Sequence, residues 1–177
     1  MLTFDWLSPD ISKAIYPPKP NTPLHRSAVN LRACIDQFDV EHAERYRVRD
    51  VDGDGIKETF CNIFVSDVTR AMWADIPHRI NGKWQLVHDN ASWLKAGTDG
   101  WHHCSGEEAQ AVADLGRPAV AVYDPADIKH GHIAMIVPSE GAHGIWIAQA
   151  GARNYRRAPI AMGFGAFAPE CFFFHHA

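Results

Sequence analysis

Thr59-Phe60-Cys61-Asn62-Ile63-Phe64-Val65-Ser66-Asp67-Val68 is the stretch from which the fold follows. From Cys61 onward, Phe64, Val65, Val68 and Met72 recur at three- and four-residue steps, the period of one buried helical face. Asn62, Ser66, Thr69 and Arg70 are then predicted to point outward. The run just before, Asp50-Val51-Asp52-Gly53-Asp54-Gly55, is dense in turn formers, so the helix is expected to begin at Cys61 itself. That start puts a thiol in a first helical turn, where unpaired amides and the macrodipole favour negative charge and lower a cysteine's pKa. Cys61 is therefore a candidate nucleophile, and its own amide a candidate donor to the oxyanion of an acyl intermediate. The plainer reading is a small core residue on a helix, which buried cysteines commonly are.

Upstream, four prolines between Tyr16 and Pro23 predict an extended arm over residues 1–23. It leads into a first helix with Thr22 as cap and Pro23 at its first position. Leu24, Ala28, Leu31, Ile35 and Phe38 supply that helix with a buried face, and Cys34 lies beside it. Downstream, a short β element is expected around Lys83 to Val87. The polar stretch carrying Trp84, Trp93 and Trp101 shows no clear period. Ser105-Gly106-Glu107-Glu108 reads as a capping box whose helix Gly116 closes. The last third changes period: Ala119 to Tyr123, His132 to Val137, Ile145 to Ala150 and Cys171 to Phe174 are short β-prone runs between Pro, Gly and Asp turns. Helices first and a strand meander afterwards predict an α+β domain, its helices packed on one face of a small antiparallel sheet. At 177 residues the chain has the length of one domain, read as residues 1–177.

With 46% apolar and 21% charged residues the composition is that of a globular protein. A net charge of −4 with scattered basic residues argues against nucleic acid as a partner. No run of eighteen apolar residues predicts a membrane span. Met1 to Ala14 lacks the order of basic then apolar residues of a secretory signal, so synthesis in the cytoplasm without a signal peptide is expected. The four cysteines, without CxxC spacing, predict neither a zinc ribbon nor a disulfide framework.

The second chemical element is Gly131-His132-Ile133-Ala134, a histidine entering a strand. A histidine there commonly serves only as a hydrogen-bonded core residue, and His130 competes from the same face although Gly131 suggests a turn between them. His78, His102, His103, His175 and His176 are read as surface or terminal residues. Two rival classes follow from other features. One is a metal-dependent hydrolase on His102-His103-Cys104 and His130 with His132, which lack an HExxH or CxxC frame. The other is a non-catalytic cell-wall binding module contacting its ligand through tryptophans. The acidic loop has the Asp-x-Asp-x-Asp-Gly pattern of a calcium loop, with Asp50, Asp52 and Asp54 as candidate ligands. Its twelfth position is Cys61, where an EF-hand places a glutamate, so a calcium here would be structural, fixing the loop ahead of the helix. No other cofactor is expected.

Together, the Cys61 stretch, Ile76-Pro77-His78 and Gly131-His132-Ile133-Ala134-Met135-Ile136-Val137 resemble the bacterial and phage cell-wall cysteine peptidases of the NlpC and CHAP types, compact relatives of papain. The looser match runs from Phe38 to Phe174. At the nucleophile, Phe60-Cys61-Asn62-Ile63 stands where the NlpC type has Asp-Cys-Ser-Gly, which is closer to the CHAP type. The resemblance implies a papain-like domain in which His132 serves Cys61 as base, and it implies Tyr46 as the pocket-lining tyrosine upstream of the cysteine. It also implies an acceptor for the second imidazole nitrogen on the strand after the histidine strand. There, Gln149 is the one polar side chain of Ile145 to Ala150, with Asn154 as the alternative. The activity implied is cleavage of a peptidoglycan stem peptide, at the γ-D-glutamyl to diamino acid bond or, as runner-up, at the N-acetylmuramoyl-L-alanine amide. Such an enzyme would act in the periplasm or cell wall after holin-mediated release, as a phage endolysin, or after delivery by a secretion system. An antibacterial effector of the latter kind would have an immunity protein as partner.

Overall fold

The computed structural model describes residues 21–125 and 131–177. The arm expected over 1–23 therefore lies almost wholly outside the described residues, and so does His130. The first helix, α1 (Ala28–Asp36), is capped by Ser27, whose hydroxyl accepts from the Asn30 amide at 3.1 Å, and not by Thr22. Pro23–His25 forms only a separate 3₁₀ turn, because Arg26 and Ser27 are extended. Leu24 is consequently 91% exposed and not part of the buried face, while Leu31, Cys34, Ile35 and Phe38 are core as expected.

The cysteine helix, α2 (Cys61–Ala71), begins where the sequence places it. Its polar side is not the solvent side, however: Ser66 and Thr69 are fully buried and Asp67 nearly so. Each is satisfied locally, as burial demands. Thr69 Oγ1 donates to the Val65 carbonyl at 2.8 Å and accepts from the Ile76 amide at 3.0 Å. Ser66 Oγ meets His78 Nδ1 at 2.7 Å. His78, expected at the surface, is thus buried, stacked on Trp84, and pins the following loop to the helix. Asp67 takes two bonds from Arg45 (2.6 and 2.8 Å) and a third from the Tyr46 hydroxyl (2.7 Å).

Next come a two-residue hairpin, β1 (Arg79–Ile80) with β2 (Lys83–Trp84), then α3 (Val87–Lys95), β3 (Trp101–Cys104) and α4 (Gly106–Asp114). Ser105 caps α4 through the Glu108 amide at 3.1 Å, and Gly116 follows with φ +84°, the left-handed stop expected of it. The remaining elements are β4 (Ala119–Tyr123), β5 (His132–Ile136), β6 (Trp146–Ala150), β7 (Asn154–Pro159), α5 (Ile160–Phe164) and β8 (Phe172–His176). Six strands form one antiparallel sheet in the order β3-β8-β4-β5-β6-β7. The architecture is α+β.

Helix α2 packs on β5 and β6, α4 on β4 and β8, and α1 on both of these helices. Residues of either parity in β4 and β5, such as Val120, Ala121, Ile133, Ala134, Met135 and Ile136, are fully buried. The centre of the sheet is thus covered on both faces, where helices on one face alone would leave every second residue to water. Helix α5 also lies against β6 and β7, and Phe167 just after it stacks on Tyr123 of β4.

Candidate active site

The site forms where the start of α2 meets the start of β5 and the end of β6. Phe60, the residue before α2, offers no side-chain cap; the Ile63 amide is taken by Asn62 Oδ1 at 3.0 Å and the Asn62 amide by the Cys61 sulfur, which leaves the Cys61 amide open at the head of the helix. Cys61 sits there, 3% exposed. Its sulfur takes a hydrogen bond from His132, the first residue of β5, and from the backbone amides of Ile133 and Asn62. The Asn62 side chain turns away, donating to the Gln85 carbonyl at 2.6 Å.

His132 Nε2 lies 2.8 Å from Gln149 Oε1. With Nε2 so engaged, Nδ1 is the nitrogen left for the thiol. Gln149 is in turn held by its own amide, which donates to the Arg153 carbonyl at 2.9 Å. The third wall of the imidazole is the Phe164 ring, 4.8 Å away between centroids. Cysteine, imidazole and amide thus form one hydrogen-bonded line, with the ring's orientation and tautomer fixed from both ends.

Burial alone would push the Cys61 thiol up. The hydrogen bond and charge of His132, with the two backbone amides, outweigh it and bring the thiol below its ordinary value. For His132, burial pushes down, but the bonds and charge of Cys61 and the Gln149 carbonyl raise it overall. Opposite displacements of coupled neighbours favour a thiolate–imidazolium pair. The other cysteines differ: burial pushes Cys34 up to about 12, Cys104 to about 11 and Cys171 to about 12. Cys61 is the one of the four whose thiol is brought down.

Two glycines make room for the line. A Cβ on Gly163, inside α5, would collide with Gln149 Oε1, and one on Gly151 would stand 3.0 Å from Gln149 Nε2 and 3.3 Å from His132 Cε1. A cavity of about 650 Å³ opens on the His132 side, lined by Thr59, Gly131, Gly151, Arg153, Tyr155 and Met162 among others. A second of about 350 Å³ lies on the Cys61 side, with Ile56, Lys57, Asn62, Leu86 and Val87. Thr59 and Gly131 belong to both, so the two form one groove passing over the cysteine and histidine.

Of the residues singled out in the sequence, Cys61, His132 and Gln149 come together. Asn154 does not join them, since its amide donates to the Val40 and Tyr46 carbonyls at 2.8 and 3.0 Å. Tyr46 does not line the groove. Its ring is 1% exposed, edge-on to Phe64, and its hydroxyl is committed to Asp67. Asp50, Asp52 and Asp54 do cluster, with carboxylate oxygens within 4.8 Å of one another. The same oxygens already order the loop by accepting from the amides of Gly53, Gly55, Asp54 and Ile56. Among the described residues the histidines and cysteines form no group of three at metal-ligand spacing. Sequence reasoning missed Gly151, Gly163, Phe164 and Arg153. Gly163 carried a signal, being a glycine within a helix, which costs stability unless something must pass close by.

No family model matches the chain, and no curated protein matches it. Among the described residues no helix is long and apolar enough to cross a membrane.

Proposed function

We propose that the protein is a papain-like cysteine hydrolase that cuts a peptide or amide bond through a thioester, with Cys61 as nucleophile, His132 as acid and base, and Gln149 as the residue that orients the imidazole. The observation that carries the reading is the hydrogen-bonded line from Cys61 through His132 to Gln149, on the floor of a groove. In this reading the Cys61 thiolate attacks the carbonyl carbon, and the oxyanion forms against the Cys61 amide. Its collapse breaks the C–N bond as the His132 imidazolium gives its proton to the leaving amine. A water, giving a proton to the now neutral His132, then attacks the thioester, and thiolate and free acid separate.

The resemblance of the Cys61 and His132 stretches to the NlpC and CHAP types supports peptidoglycan as the substrate. The γ-D-glutamyl to diamino acid bond is the first choice and the N-acetylmuramoyl-L-alanine amide the second. The same reading has the enzyme reach the wall through a holin or a contractile secretion system, in the latter case with an immunity protein as partner. A structural calcium on Asp50, Asp52 and Asp54 belongs to the proposal. It would steady the loop that the Arg49 and Glu58 pairing closes ahead of Cys61, and it takes no part in the chemistry.

The test is digestion of purified peptidoglycan by the wild type, Cys61→Ala and His132→Ala, with the new termini identified by mass spectrometry. Loss of hydrolysis in both variants, with unchanged circular dichroism, is expected. Full biological effect from Cys61→Ala would mean a binding module. Activity that a chelator destroys and iodoacetamide spares would mean a metal enzyme. New L-alanine amino termini would move the assignment to the amidase.

A further inference from the structure

We infer that Thr59 is a further catalytic residue, its hydroxyl giving the oxyanion a second hydrogen bond beside the one from the Cys61 amide; this rests on the hydrolase reading above. The scissile bond has to cross the groove between the sulfur that attacks its carbonyl carbon and the imidazole that protonates its nitrogen. The two cavities meet there, one with Cys61 on its wall and the other with His132. Among the described residues only Thr59 and Gly131 line both, and Gly131 has no side chain. Thr59 is therefore the side chain that the crossing point offers besides the catalytic pair.

The local chain holds it there. Glu58, on one side of Thr59, exchanges backbone bonds with Arg49 at 2.9 and 3.3 Å. Phe60, on the other side, is 2% exposed and has the Arg49 guanidinium 4.2 Å from the centre of its ring. Fixed at both ends, Thr59 itself is exposed on the groove and not packed into the core. A donor positioned in advance needs no rearrangement when charge develops.

The Thr59 hydroxyl has no hydrogen bond among the described residues, so it is free to give one. Other donors along the groove are engaged or stand to one side. Asn62 gives its amide to the Gln85 carbonyl at 2.6 Å, and Gln149 gives its own to the Arg153 carbonyl at 2.9 Å. Lys57 is unpaired too, but it precedes the Glu58 and Arg49 pairing and lines only the Cys61 side. Arg153 and Tyr155 line only the His132 side. Thr59 is also within reach of the Cys61 amide. Two residues apart, their Cα atoms are separated by about 7 Å at most. An oxygen that accepts from two donors at about 2.9 Å each holds them no more than about 6 Å apart. One oxyanion thus fits between the amide and the hydroxyl. Thr59 keeps its proton throughout, and its bond strengthens as the carbonyl oxygen gains charge, which raises kcat and leaves ground-state binding alone.

Thr59→Val keeps the shape and removes the hydroxyl, and Thr59→Ser keeps the hydroxyl. Digestion of peptidoglycan and acylation of Cys61 by the p-nitrophenyl ester of N-acetylglycine both pass through an oxyanion. Alkylation of Cys61 by iodoacetamide displaces iodide at a saturated carbon and does not. Thr59→Val should lower the rate at saturating peptidoglycan, and the rate of acylation by the ester, by about 100-fold or more, the loss that follows removal of one oxyanion donor. The half-saturating concentration and the alkylation rate should stay as in the wild type, and Thr59→Ser should recover most of the loss. Equal acylation in Thr59→Val and the wild type overturns the inference. An alkylation rate that falls along with acylation also overturns it, because Thr59 would then act on the thiolate or the loop and not on the oxyanion. A loss confined to Lys57→Ala would give the second bond to Lys57 and reject Thr59. A wild type that is acylated by the ester but leaves peptidoglycan intact counts against the substrate reading alone, and the ester still decides on Thr59. A wild type that neither cuts peptidoglycan nor is acylated at Cys61 removes the hydrolase reading, and the role of Thr59 with it.

Discussion

Replacing Gln149 isolates the part of the site that the structure defines most sharply. Gln149→Ala removes the acceptor at 2.8 Å from His132 Nε2 and leaves the charged form of the ring without its outer partner. A hydrogen bond to a charged group contributes about 1.5–3 kcal/mol. Its loss should lower the pKa of the imidazolium. The sign follows from which states hold the bond. The thiol with imidazolium and the thiolate with imidazolium both contain the charged ring, whereas thiolate with neutral imidazole does not. Losing the acceptor therefore lowers the upper titration of the pair, which is raised in the wild type, and leaves the lower one in place.

The upper step can be followed in the His132 Cε1–H resonance, assigned by its absence from His132→Ala. The lower step is followed by the pH dependence of Cys61 alkylation by iodoacetamide. Gln149→Glu, nearly isosteric in the space left by Gly151 and Gly163, should move the upper step the other way, because a carboxylate stabilises the imidazolium further. The hydrolytic window should narrow from its alkaline side in the alanine variant and widen there in the glutamate variant. An upper titration at the same pH in all three proteins would refute the role given to Gln149.

Gly163→Ala places a methyl against Gln149 Oε1, so it should reproduce the narrowed window of Gln149→Ala and destabilise by about 1–3 kcal/mol, the usual cost of overpacking; the same NMR titration and a urea melt check both. Asp67→Ala takes from Arg45, whose side chain is 11% exposed, its two bonds to the carboxylate, and removes the acceptor of the buried Tyr46 hydroxyl. Breaking such a pair costs about 3–5 kcal/mol, to be read as a lowered midpoint in denaturant, and a loss below about 1 kcal/mol would contradict it. Calcium added to chelated protein should raise the melting temperature, and Asp52→Asn should abolish that rise, since a ligand of the native state alone must stabilise it. An unchanged melting temperature removes calcium from the proposal.

Local rules carried much of the site. A turn-rich run ending just before an apolar stripe placed the start of α2 at Cys61, and period-two alternation placed Gln149 on the strand after His132. The failures lie where tertiary packing overrides local pattern. Ser66, Thr69 and His78 are polar and read as exposed, but α2 is enclosed on nearly every side and their polar atoms are satisfied by one another and by nearby backbone. Tyr46 and Asn154 were credible by type and position. Both instead secure the segment between α1 and α2, Tyr46 through Asp67 and Asn154 through two carbonyls far away in sequence. Contacts across such separations leave no periodic trace in a single chain.

The same distinction explains why the line needs its glycines. A glutamine on a buried strand can reach an imidazole on the next strand only if nothing fills the volume around its amide. On the two sides where α5 and the turn after β6 come closest, the chain provides hydrogen atoms where other residues would provide methyl groups. Phe164, next to Gly163, then packs on the ring that Gln149 holds. Helix α5 therefore supplies both the gap and the wall, although it bears no polar group of the hydrogen-bonded line. Its five residues could not form a stable helix alone, so its placement depends on the sheet beneath it. Orientation of His132 is in this sense set by the packing of α5 on β6 as much as by the hydrogen bond that α5 leaves room for.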